Sequence, residues 1–261
     1  MTKLFLLRYD TERDPAQGMG GFLDKVIQVH RKHAIPATFF CCGGTLDGDR
    51  ALFAAFGREV AGDPLFDLQD HSHTHIGLGY ERGRPLEELR ANYERSFAAH
   101  RAVFGKAPVG VSICGTGGKD GPRLQGFDQT AKSRAEFEMM ASLGLRMINT
   151  FLMGEDESRA FVDYGRLGHP EIMGFPSGHG DTSWMYRREH GDPMEYILAA
   201  IEERAARDEH MPVMLHDWVA WLHAGDQELT HVVRIADQAR RLGYRLVTHL
   251  ECLQDEALWR R

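Results

Sequence analysis

The chain has 261 residues, 43% hydrophobic and 26% charged, with a formal net charge of −7. That length and composition suit a folded α/β protein of one large domain or two small ones. The negative balance speaks against a basic nucleic-acid face and against docking on an anionic membrane.

Short apolar runs alternate with helix-period segments along the chain. Lys3–Tyr9 reads as a buried strand, ended by Asp10, and its apolar run is interrupted by Arg8. It is too short for a secretory leader or a membrane span, so a cytoplasmic protein is expected. Gly21–His33 reads as a helix, with Phe22, Val26, Ile27 and Val29 at helical spacing. Ala37–Cys41 is a second strand, Arg50–Ala61 a helix and Leu65–Gln69 a third strand. Pro85–Phe104 is a long helix, with Pro85 suited to its first turn and Gly105 to its end. Val109–Ile113 is a fourth strand, and a Gly-rich loop over Gly115–Gly126 precedes the helix Lys132–Leu143. Arg146–Asn149 and Ile172–Phe175 are further strands, and Phe151–Gly191 is read largely as long loops over one rim. Met194–Arg207 is a helix, Pro212–Leu215 a strand, Glu228–Leu242 a helix and Arg245–Val247 a last strand. The repetition predicts a parallel sheet with right-handed crossovers. The count of about seven or eight units favours a closed or nearly closed (β/α)7-8 barrel over an open sheet, a single domain over residues 1–261.

Polar residues gather at the ends of these strands. Asp10 and Glu12 follow the first. His71, His73 and His75, within Asp70-His71-Ser72-His73-Thr74-His75, follow the third. Ser112 and Cys114 close the fourth; Ser177, His179 and Asp181 follow the sixth; His216 and Asp217 follow the seventh. In a parallel barrel those ends face one rim, where catalytic groups concentrate. Neutral imidazole is the commonest ligand of zinc-like metals, and two histidines four apart close on one ion if the chain turns between them. His73 would face away from them in an extended stretch, which points to a structural use. Acids and histidines together at one rim are what a metal hydrolase requires.

Other features leave alternatives open. Ser177-Gly178-His179-Gly180-Asp181 reads as a substrate-binding turn or as an extra ligand pair. Trp218 and Trp221, three apart, read as a sugar-stacking wall or as helix packing. Ser177, His179, Asp181 and Trp218 are the substrate-binding candidates. Cys41, Cys42, Cys114 and Cys252 include no CxxC and read as free buried thiols, with Cys114 also weighed as a thiol nucleophile. The Gly-rich loop lacks the Lys-Ser/Thr ending of a phosphate loop, so no nucleotide cofactor is expected.

Asp10-Thr11-Glu12, Ala37-Thr38-Phe39-Phe40, His71-Ser72-His73-Thr74-His75 and Leu215-His216-Asp217 follow one another in an order that resembles the polysaccharide deacetylase family, carbohydrate esterase family 4. Its members typically show an acid pair after strand one and an Ala-Thr-Phe-Phe strand two. A His-Ser/Thr-x-x-His follows strand three, and a Leu-x-His-Asp lies near the end. The match spans nearly the whole chain, and the family's distorted (β/α) barrel agrees with the strand count. The resemblance implies that Asp10 is the general base and His71 and His75 are metal ligands. Glu12 becomes the third ligand, where members usually have Asp, and His216 the general acid toward the leaving amine. The implied reaction is removal of an N-acyl group from a carbohydrate or related amide substrate. A divalent metal would assist, zinc by default, with nickel, cobalt or manganese also compatible.

One segment departs from the pattern. The family's fourth strand ends in an Arg-Pro-Pro-Tyr-like motif whose Arg pairs with the catalytic acid, whereas Ser112 stands there in this chain. Arg8 and Arg123 are candidates to replace it. The departure points to an atypical cytoplasmic branch, of the kind that includes lipid-sugar deformylases and metal-independent ring-opening amidases. Other readings are an amidohydrolase-type or phosphoesterase hydrolase with a His-x-His metal pair, and a catalytically degenerate carbohydrate-binding member. The acyl group and a homo-oligomeric state stay open.

Overall fold

Period-two alternation along the first strand sets the architecture. All eight residues of β1 (Leu4–Thr11) are buried, so helices or loops cover both faces of the sheet. Phe5, Leu7 and Tyr9 enter the layer between sheet and helices with Phe22, Val26 and Phe39. Leu4 and Leu6 enter a separate apolar cluster with Phe40, Met147, Met173, Phe175 and Val247. On that second side the next residues are Arg8 and Asp10, so one face of one strand passes from apolar to ionic.

The computed structural model describes residues 2–12, 20–76, 84–114, 131–150, 161–176, 179–181, 193–223 and 225–260. After β1 come α1 (Gly20–His33), β2 (Ala37–Cys41), α2 (Gly43–Gly48), α3 (Arg50–Glu59), β3 (Phe66–Asp70), α4 (Leu86–Phe104) and β4 (Gly110–Val111). They are followed by α5 (Ala131–Ser142), β5 (Met147–Thr150), β6 (Val162–Asp163), β7 (Met173–Pro176) and β8 (His179–Gly180). The chain closes with α6 (Pro193–Ala206), β9 (Met211–His216), α7 (Thr230–Arg241), β10 (Arg245–Val247) and α8 (His249–Gln254). One sheet runs β6-β7-β5-β4-β3-β2-β1-β9-β8, with β10 also on β1. Its pairings are parallel except that of β6 with β7.

The terminal strands β6 and β8 are not paired with each other, so the sheet curls into a half-barrel. This is the expected distorted barrel in a single α/β domain. The helix expected over Arg50–Ala61 is joined by a second one, α2, whose Gly43-Gly44 start carries turn rather than helix propensity. β6 and β8 are too short to leave a periodic signal. The loop expected over Gly115–Gly126 and most of that over Phe151–Gly191 lie outside the described residues. Among the described residues no helix is long and apolar enough to cross a membrane.

α2 packs hard against the turn that follows β3. Gly43 N donates to Ser72 O at 2.9 Å and Gly44 N to His73 O at 2.7 Å. A Cβ at Gly43 would lie 2.7 Å from Ser96 Cα, and one at Gly44 2.7 Å from His73 O. Both obstacles are backbone atoms that cannot rotate away, so the histidine turn is held at glycine distance. Gly44→Ala is therefore expected to lower stability by about 1–3 kcal/mol through overpacking. Urea unfolding checks this, and an unchanged midpoint would rule out the close approach.

Candidate functional site

β3 ends on Asp70, whose fully buried carboxyl shapes the turn beyond it. Its Oδ2 accepts from Ser72 N at 2.9 Å, its Oδ1 accepts from Ser96 Oγ of α4, and His100 Nε2 lies 3.3 Å from the same Oδ1. Ser72 and His75 adopt left-handed backbone angles, φ +61° and +54°, which non-glycine residues rarely take. The turn is held further by Ile76 N donating to Ser72 Oγ at 2.9 Å and by His73 N donating to Asn92 Oδ1 at 2.8 Å. The result is that His71 and His75 approach each other, ring centroids 5.1 Å apart, while His73 Nε2 lies 3.1 Å from Asp47 Oδ2.

His71 is poised as a ligand. Its Nδ1 lies 2.7 Å from Ser112 O, and a carbonyl only accepts, so Nδ1 carries a hydrogen. Burial disfavours the charged ring, but Cys114, Asp10 and Glu12 outweigh it and raise the pKa, so Nε2 offers its lone pair to an ion by giving up a proton. That Nε2 lies 3.8 Å from Glu12 Oε2 and 3.9 Å from Asp10 Oδ2. His75 Nε2 is 2.6 Å from the same Glu12 oxygen. Glu12 Oε2 is buried, and both imidazoles turn a nitrogen toward it. The other oxygen, Oε1, accepts from Trp218 Nε1 at 2.9 Å and lies 3.8 Å from His216 Nε2. Burial opposes the charge on Glu12, but His71, His75 and His216 outweigh it and hold the carboxyl well below the usual range. The His75 side chain is 46% exposed and that of His71 2%, so the site opens to solvent at His75.

A second donor set shares both histidines. His71, His75 and Cys114 each offer a ligand atom within 4.8 Å of the other two. Cys114 Sγ donates to His71 O at 3.0 Å and Cys42 Sγ to the same oxygen at 3.3 Å. Burial works against a thiolate at Cys114, yet Cys42 and the two imidazoles bring its pKa below that of a free thiol. Nitrogen, oxygen and sulfur donors gathered around one buried carboxylate oxygen, with His71 oriented by a carbonyl behind it, fit a zinc-like divalent ion. Contact with the Glu12 carboxylate raises the pKa of His75, so an ion entering there has to displace protons.

Asp10 sits beneath this group, nearly fully buried. Ser112 Oγ donates to its Oδ2 at 3.3 Å, and Arg8 Nε lies 3.5 Å from its Oδ1. Arg8 thus supplies a cation beside the acid, while Arg123 lies outside the described residues. The Arg8 guanidinium sits 5.9 Å from the Phe40 ring and 5.7 Å from the Phe175 ring, in cation–π range. Burial lowers the Arg8 pKa, and the Asp10 charge partly offsets this.

Across the site, β8 leads directly to Asp181, which grips His216 at the end of β9 with both oxygens. His216 N donates to Oδ2 at 2.7 Å and His216 Nδ1 to Oδ1 at 2.6 Å. Burial disfavours the imidazolium, but Asp181, then Asp10 and Glu12, outweigh it and raise the pKa to about 9. The structure thus gives Asp181, a substrate-binding candidate from sequence, to His216 as an orienting partner. Trp218 is 7% exposed, with its indole nitrogen turned to Glu12. His179 lies in β8 opposite Val213, and Ser177 is outside the described residues. The supporting groups Ser96, His100 and Asn92 carry no motif; helical spacing on α4 was their only trace in the sequence.

No protein-family model and no curated protein matches this chain. Solved structures do. A structure from Mycobacterium smegmatis described as a candidate polysaccharide deacetylase aligns with TM-score 0.72 at 15% identity, over 97% of this chain and 89% of that one. A peptidoglycan deacetylase from Bacillus subtilis aligns with TM-score 0.55 at 15% identity, over 98% and 94%. A carbohydrate esterase family 4 pseudoenzyme from Bacillus anthracis aligns with TM-score 0.56 at 14% identity, over 98% and 66%. At such identities the likeness establishes the fold.

Two outcomes follow from this geometry. A group whose folded pKa is raised contributes its full stability below its unfolded value, near 6.5, and loses it as pH rises through about 9. In chelator-treated protein, Asp181→Asn should bring the His216 titration down and flatten that alkaline loss, as read by imidazole NMR and by unfolding midpoints across pH. An unchanged titration in the variant would contradict the pairing. Arg8→Met removes one partner of a buried ion pair and should destabilise by about 3–5 kcal/mol; denaturant midpoints within error of wild type would show that Asp10 does not need it.

Proposed function

We propose that this chain is a hydrolase of carbon–nitrogen bonds that removes an N-acyl group from a carbohydrate or related amide with the help of a divalent metal, zinc by default. We group it with the polysaccharide deacetylases. The observation that carries this reading is the meeting of Asp10 from β1 and Glu12 just past its end, His71 and His75 from the turn after β3, and His216 from β9. Adjacent members of that group lie 2.6–3.9 Å apart. The four cysteines are free and buried, which supports a reducing, cytoplasmic setting.

His71, His75 and Glu12 would hold the ion. When bound, it supplies Lewis acidity to the scissile carbonyl and lowers the pKa of the attacking water. Asp10 takes the water proton through Oδ2, the oxygen that faces His71, while Arg8 and Ser112 fix the carboxylate. A carbon–oxygen bond forms as the carbon–nitrogen bond breaks, and His216 gives the proton on Nε2 to the departing nitrogen. Asp181 holds that imidazole charged and aimed. Asp10 and His216 then re-equilibrate with solvent to leave a carboxylate and a free amine. The exposed edge at His75 is where an amide would enter.

The test is amine release from an N-acetylated amino-sugar oligomer. Asp10→Asn should reduce it by at least about a hundredfold, chelation should abolish it, and zinc should restore it. Full activity in Asp10→Asn, with no divalent metal in the purified protein, would overturn the reading. Oligomer binding without turnover would overturn it in favour of a carbohydrate-binding protein.

A further inference from the structure

We propose, on the basis of the metal reading above, that Cys114 is a protein ligand of the ion, so that sulfur joins the His71 and His75 nitrogens beside the Glu12 carboxylate. Three observations support it. The ligand atoms of His71, His75 and Cys114 lie within 4.8 Å of one another. Zinc–nitrogen and zinc–sulfur bonds of about 2.1 and 2.3 Å put tetrahedral donors about 3.5 Å apart, so a small inward movement closes the set. The chain after β4 also serves His71 twice: Ser112 O accepts from its Nδ1, and Cys114 Sγ reaches its carbonyl oxygen. The residue that aims the imidazole and the residue that delivers the sulfur are thus two apart on one segment. Finally, Glu12 Oε2 is buried and lies 2.6 Å from His75 Nε2 and 3.8 Å from His71 Nε2, so the same two imidazoles already converge on a carboxylate oxygen.

Cys114 is 1% exposed and free, shielded from bulk oxidants, and Ser72 Oγ lies 3.4 Å from its sulfur. On binding, the thiol releases its proton to solvent, gives up its contact with His71 O and forms a sulfur–metal bond. A thiolate in the set favours zinc or cobalt over magnesium or manganese. Zinc can add a fifth coordination position during reaction, so a thiolate does not exclude an amide.

X-ray absorption of the full-length zinc-loaded protein provides the test. Wild type should show one sulfur at about 2.3 Å, and Cys42→Ser should keep it. Cys114→Ser should lose it and bind zinc at least about tenfold more weakly. The cobalt-loaded wild type should show a thiolate-to-metal charge-transfer band that Cys114→Ser lacks. If Cys114→Ser does not fold, the wild-type spectra decide alone. Stoichiometric zinc with only nitrogen and oxygen neighbours would overturn the sulfur ligand and leave the metal reading standing. Protein that takes up no zinc would overturn both.

Discussion

The Asp70 carboxyl is the constraint on which the site depends. It is fully buried at the end of β3 and gathers a backbone donor from the turn, Ser72 N, with the hydroxyl of Ser96 and the nearby ring of His100 from α4. An aspartate bonding the amide two residues on is the usual way to start a tight turn, and hydrogen bonds to a charged group are worth about 1.5–3 kcal/mol each. That is enough to hold two non-glycine residues, Ser72 and His75, in left-handed geometry. Without that turn the two histidines would stand on an extended strand with their spacing intact and their rings too far apart to share an ion.

The second determinant is the change of character along the face of β1 that carries Leu4, Leu6, Arg8 and Asp10. Leu4 and Leu6 supply apolar contact, and Arg8 and Asp10 replace it with an ion pair walled by Phe40 and Phe175. Two charges taken out of water persist only where each meets the other or a polar partner. Arg8 Nε and Asp10 Oδ1 face each other at 3.5 Å, and Ser112 Oγ reaches the other Asp10 oxygen. The cation that the resemblance led one to look for after β4 is supplied by β1, two residues before the acid it accompanies.

That exchange frees the segment after β4. Where an Arg would have stood, Ser112 bonds Asp10 with its hydroxyl and His71 with its carbonyl, and Cys114 comes up beside the histidine pair. Relative to the pattern that the sequence resembles, three elements thus keep a cation beside Asp10 and bring a hydroxyl and a thiol close to the histidines.

Local pattern in the sequence determined the alternation of strands and helices, the barrel class, and the gathering of Asp10, Glu12, His71, His75 and His216 at one rim, because strand ends are set by runs of neighbouring residues. His73 does stand apart from the other two histidines, against Asp47, but a tight turn puts it there and not the alternation of an extended strand. Tertiary structure alone decided the partnerships. Asp181 grips His216 from 35 residues away, Ser112 aims His71 from 41 and holds Asp10 from 102. Such pairs depend on which strands lie side by side and in what register, and no local periodicity carries that information. The same holds for Arg8, whose neighbour Asp10 was visible but whose buried pairing required the inner face to be closed off by Phe40 and Phe175 from two other strands.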